Sequence, residues 1–144
     1  MLKKMFFLLI AGLSFTSLQA QITYLKNLEE VKAFSKKSAT LFKEGKVSET
    51  FDELQKYWPM PANEITSLET NSIKQLNIAR DRFGEPEKVV KIREETIQDF
   101  GLRETYLVKY KFYAIRLVFT YYKNNEGWIM VAFSWDDKFA EEFK

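Results

Sequence analysis

The sequence predicts an α+β domain in which N-terminal helices pack on a C-terminal curved antiparallel sheet of about four strands. Three observations predict it. Apolar residues recur at helical spacing as far as Phe83 and alternate with polar ones beyond Pro86. The change of period happens once, so helices cluster early and strands late, the order of α+β rather than of alternating βαβ units. No linker, repeat or low-complexity tract interrupts the 144 residues, a length natural to one domain.

The chain opens with a positive head, Met1-Leu2-Lys3-Lys4. An apolar run from Met5 to Leu13 follows, and Ser14 to Leu18 continue it more weakly before Gln19-Ala20-Gln21. This is the three-part layout of a secretory signal peptide. It is short and interrupted for a membrane span, which takes roughly 20 mainly apolar residues. The sequence therefore divides into a signal peptide, 1–20, cleaved after Ala20, and one α+β domain, 21–144. The protein is expected to be exported to the periplasm or beyond, without a retained membrane span.

The first helix is expected over 26–44. Thr23 or Asn27 caps it, Glu29 and Glu30 complement its dipole, and Leu28, Val31, Phe34, Leu41 and Phe42 form its apolar stripe. Gly45 ends it by taking positive φ. Ser48 is the expected cap of a short second helix bearing Phe51, Leu54 and Tyr57, stopped by Pro59 and Pro61. A third helix over 62–82 buries Ile65, Leu68, Ile73, Leu76, Ala79 and Phe83, and Gly84-Glu85-Pro86 terminates it.

Val89 to Ile97 reads as the first strand, turned at Asp99-Phe100-Gly101. In the next, Tyr106, Val108 and Tyr110 share one face, and Leu107, Lys109 and Lys111 the other. Ile115, Leu117, Phe119 and Tyr121 alternate with Arg116, Val118, Thr120 and Tyr122 in the third. Lys123 to Gly127 form a turn. Trp128, Met130, Ala132 and Ser134 then alternate with Ile129, Val131, Phe133 and Trp135. The absence of charge in this last strand suggests a central or well-covered place. Asp136-Asp137 can start a short terminal helix whose Phe139 and Phe143 touch the body.

Composition closes several functional classes. There is no Cys and no His, so structural zinc, thiol nucleophiles, disulfides and histidine bases are excluded. Of the 22 basic residues two lie in the first twenty, which hold no acid, and the remainder balance the 20 acidic ones. A neutral domain lacks the basic footprint of a nucleic-acid binder. No glycine-rich phosphate loop, dinucleotide fingerprint or EF-hand is present, so no cofactor is expected.

The candidate site lies in the strands. Tyr106, Tyr110, Tyr121, Trp128 and Trp135 suit either a concave ligand pocket with phenolic donors or plain packing against the helices. Arg116, in an otherwise apolar strand, offers a carboxylate a rigid donor fork if it points inward, or covers the sheet with its stem if outward. Asp136, beside Asp137, suits proton transfer or a hard cation, and more simply a helix cap. Arg103, Lys109 and Lys111 read as a solvated stripe with Glu104. Glu94 and Glu95 point to opposite faces and form no catalytic pair.

Two passages carry a resemblance. One is Asp81-Arg82-Phe83-Gly84-Glu85-Pro86. The other is Phe119-Thr120-Tyr121-Tyr122-Lys123 with Gly127-Trp128 and Phe133-Ser134-Trp135-Asp136-Asp137. They resemble a group of small, functionally uncharacterised exported proteins of Bacteroidetes-type bacteria. The order of helices and then a curved sheet is similar to the NTF2-like, cone-shaped α+β superfamily. That resemblance implies isomerases, dehydratases, immunity proteins, transport factors or catalytically silent binders. Active members commonly place an Asp–His pair in the sheet cavity, and this chain has no histidine for it.

The expected function is an exported, non-catalytic domain that binds a small ligand or an envelope protein. Two alternatives stand beside it. One is a small NTF2-like enzyme using carboxylate, tyrosine or arginine groups. The other is a structural interaction module, possible as a homodimer, that buries an aromatic face.

Overall fold

A computed structural model describes residues 22–144. The expected signal peptide and its cleavage bond lie outside them. Three helices, α1 (Leu28–Lys43), α2 (Val47–Tyr57) and α3 (Ala62–Phe83), precede four strands, β1 (Pro86–Ile97), β2 (Gly101–Tyr110), β3 (Ala114–Lys123) and β4 (Trp128–Asp136). A 3₁₀ turn, Phe139–Glu142, closes the chain. The strands form one antiparallel meander in the order β1-β2-β3-β4, so the α+β expectation holds.

Local chemistry explains the boundaries. Asn27, not Thr23, caps α1: its side chain accepts the Glu30 N–H at 2.9 Å. Gly45, at φ 78°, ends that helix. Ser48 does not cap α2, because the helix begins one residue earlier, at Val47, and Lys46 flanks it without a side-chain hydrogen bond. Helix α3 buries Ile65, Leu76, Ala79 and Phe83 as expected, but Leu68 and Ile73 are exposed and Ser72 is buried instead.

The helices cover one face of the sheet. Val31, Phe34, Phe42, Phe51 and Leu54 meet Leu102, Val108, Leu117, Phe119, Met130 and Phe133 in a single core. Edge-to-face contacts join Phe51 to Phe133 and Phe42 to Phe133, and such pairs add to plain apolar burial.

Strand β4 departs from its expected alternation. Thr120 pairs with Ala132 and Tyr121 with Met130, which leaves Val131 as an extra residue, a β-bulge. The bulge reverses parity along the strand. Trp128, Met130, Phe133 and Trp135 therefore turn toward the helices, while Val131, Ala132 and Ser134 turn away. β4 is also an edge strand, not a central one. Its first residue is covered, because Leu25 and Trp128 exchange backbone hydrogen bonds of 2.9 and 2.8 Å. The expected contact of Phe143 with the body is limited, since the residue is 76% exposed.

Candidate functional site

The inner face of the sheet holds five of the seven candidate residues. Tyr106, Tyr110, Tyr121 and Trp128 are buried in the core, and Trp135 is half-buried against it. Tyr121 shares a hydrogen bond of 2.6 Å with Ser35 of α1. Trp135 donates its indole N–H to Ser72 of α3 at 2.9 Å. Burial pushes the Tyr106 phenol up to about 12, and the nearby Glu104 charge adds to that. Burial raises Tyr121 as well, against a smaller opposing effect of Ser35.

Glu104 belongs to this inner face too. It lies between Leu102 and Tyr106 in β2, opposite Phe119, and is fully buried. This corrects the expected solvated stripe, of which Arg103 and Lys109 are exposed as foreseen. One Glu104 oxygen accepts the Lys91 ammonium at 2.7 Å, and the other has no protein partner. Lys91 also pairs with Glu94, which takes Lys32 of α1 at 2.8 Å. Burial works against the Lys91 charge, but Glu104 and Glu94 outweigh it and raise its pKa. In front of this group, Lys32, Lys36, Thr40, Val89, Lys91 and Tyr106 line an open cleft of about 420 Å³.

The outer face carries Arg116 and Asp136, separated from the tyrosines by the sheet itself. Arg116 stands opposite Asp136 across β3 and β4. Its Nε and Nη2 donate to the two carboxylate oxygens at 3.0 and 2.8 Å, a two-pronged pair. Asp136 Oδ1 also accepts the Lys138 N–H at 3.0 Å, fixing the turn after β4. The remaining Arg116 nitrogen, Nη1, donates to Glu142 at 2.8 Å. Arg93 of β1 binds the same carboxylate through both terminal nitrogens. The two arginines hold the Glu142 carboxyl down at about 2, Arg93 contributing most. Asp136 and then Glu142 raise the Arg116 pKa in turn.

At the other end of the outer face, apolar side chains meet solvent. Ile97 is 65% exposed, Phe100 40%, Tyr122 46% and Val131 45%. They line one shallow hollow of about 380 Å³ with Glu95 and Arg103 beside them. Phe100 and Tyr122 stack edge to face, ring centroids 6.0 Å apart.

The candidate residues thus divide between two faces. Arg116 and Asp136 come together, the aromatic five pack with the helices, and no point brings both sets together. The sequence places Glu104 in a solvated stripe and gives Arg93 and Glu142 no part in a site. The alternation Leu102, Glu104, Tyr106 does mark Glu104 as inward. Nothing local marks Arg93 and Glu142, which are 49 residues apart. Among the described residues no cluster of acids is arranged to hold a metal ion, and no helix is long and apolar enough to cross a membrane.

Fold and site define a small α+β domain with an ion-paired, partly apolar outer sheet face. No protein-family model and no curated protein matches the chain. Among solved structures, it is similar to one described as a candidate calcium/calmodulin-dependent protein kinase type II association domain from Thiobacillus denitrificans. The identity is 11%, over 78% of this chain and 96% of that one, with a TM-score of 0.47.

Proposed function

We propose that the protein is a non-catalytic interaction domain that pairs with a second copy of itself through the outer face of its sheet. The observation that carries this reading is the exposed group Ile97, Phe100, Tyr122 and Val131. Large side chains gathered in one exposed place are characteristic of contact surfaces, unlike single scattered ones. The rim supports a second copy as the occupant. Glu95 and Arg103 face each other across β1 and β2 beside the apolar group. The patch thus carries both an acid and a base, which is what a self-complementary contact between two copies of one surface requires. Residues 21–144 carry equal numbers of basic and acidic side chains, so no net charge of that part opposes the pairing of two copies.

Sedimentation over a wide concentration range tests the reading. A reversible dimer is expected, and Tyr122→Lys with Val131→Lys is expected to make it monomeric without loss of helical signal. A monomer at every concentration, or a dimer indifferent to these substitutions, overturns it.

Export remains part of the proposal, supported by the basic head, apolar stretch and small-residue ending of 1–20. Kinship with the NTF2-like proteins is also proposed, on the order of three helices and then four strands. A second reading, small-ligand binding, is favoured by the cleft at Lys36, Lys91 and Tyr106. Native mass spectrometry of the protein purified from the periplasm separates the two readings, since a retained small mass supports the cleft and a doubled mass the sheet face.

A further inference from the structure

We propose that Arg93, Arg116 and Thr105 form a receptor for an acidic protein segment with an aromatic residue three places before a glutamate, and that the chain's own C-terminal turn masks it.

The receptor is built by the sheet. Arg93, Thr105 and Arg116 stand on the outer faces of β1, β2 and β3. Thr105 is fully buried beneath them, and its hydroxyl lies 3.5 Å from Arg93 Nη2. Asp136 holds Arg116 from the side through Nε and Nη2, so Nη1 stays aimed at the place where Glu142 sits. That orientation does not depend on Glu142. Two guanidinium groups converging on one carboxylate give the fixed donor geometry that arginine supplies and lysine does not.

The occupant is held by side-chain contacts rather than by a buried core of its own. The turn Phe139–Glu142 contains no buried residue. Phe139 sets its ring edge to face against Tyr113 at 5.7 Å, Tyr113 rests on Phe83, and Phe143 is 76% exposed. The turn is attached through the Phe139 ring and the Glu142 carboxylate, three residues apart on a single helical turn, with the exposed Glu141 carboxylate 3.8 Å from Arg116 beside them. The turn presents the two features that a site of this shape reads, an aromatic ring and a carboxylate, and a partner segment with the same spacing makes the same contacts. Masking lowers the apparent affinity for such a partner by the fraction of molecules that are closed.

The test uses a fluorescent peptide of the sequence 137–144 as probe and follows its anisotropy with the full chain. Glu142→Ala is expected to bind the probe about tenfold more tightly than the native chain, because its own turn no longer competes. Adding Arg93→Gln is expected to abolish the gain. So is replacing the probe's glutamate at the position of Glu142, or its phenylalanine at the position of Phe139. A chain ending at Asp137 serves as a second unmasked form, and circular dichroism checks both folds. No gain in the unmasked forms, or a gain indifferent to Arg93 and to the probe's glutamate, overturns the proposal. Dimerisation through Tyr122 and Val131 is read separately, so either idea can fail alone.

Discussion

The hydroxyls of Ser35 and Tyr121 lie 2.6 Å apart in the core, joining α1 to β3 across 86 positions of sequence. Neither reaches water, so each satisfies the other. Tyr121→Phe leaves the serine unpaired and is expected to cost about 1–2 kcal/mol, with Ser35→Ala costing a similar amount. The double variant removes both polar groups, so its loss is expected to fall about 1 kcal/mol short of the sum. Urea unfolding of the four proteins measures the cycle, and strict additivity refutes the pairing.

Glu104 is the fully buried carboxylate of the sheet, and Lys91 is its ion-pair partner. Lys91→Met is expected to destabilise by on the order of 3 kcal/mol, because it strands a charge away from water. Glu104→Gln in that background is expected to restore part of the loss by removing the charge. The control is Lys109→Met, an exposed lysine paired with Glu87, for which a change below about 1 kcal/mol is expected. Equal costs at the two lysines count against the argument.

The latch at Glu142 is pH-dependent in a stated direction. Its carboxyl is lowered from 4.5 to about 2 in the folded chain. A depressed acid contributes stability that is complete above its ordinary value and lost as pH falls through the folded one. The terminal turn is therefore expected to stay attached at neutral pH and to release between about 4.5 and 2. Carboxyl carbon shifts of Glu142 followed by NMR check this. Arg93→Gln is expected to move the midpoint upward, and an unmoved midpoint rejects Arg93 as its main cause.

Much of this architecture was legible because the deciding signals are local. Asn27, Gly45, Pro59, Pro61 and Gly84 act within a turn of where they stand. The faces of β2 and β3 follow from simple alternation. The β4 bulge was not legible, because no glycine or proline marks Val131. Phe133 turns inward to meet Phe119, and that partner comes from another strand. Lack of charge pointed to a central or well-covered place for β4, which is an edge strand covered, among the described residues, only at Trp128 by Leu25, since composition does not distinguish a central strand from an edge. The site was read least well. Arg116 stands out as an exception in an apolar strand, but its contact with Glu142 comes from a turn whose landing place only the folded chain defines.

The order of elements along the chain has a consequence for synthesis. Phe34, Phe42 and Phe51 leave the ribosome before any strand exists, and their sheet partners Phe119, Met130 and Phe133 arrive last. A half-made chain therefore carries an aromatic helical layer with nothing to cover it, the condition in which nascent proteins aggregate or recruit chaperones. The meander shortens that interval. Each strand pairs only with its neighbour in sequence, so the covering sheet assembles by short loop closures rather than by long searches.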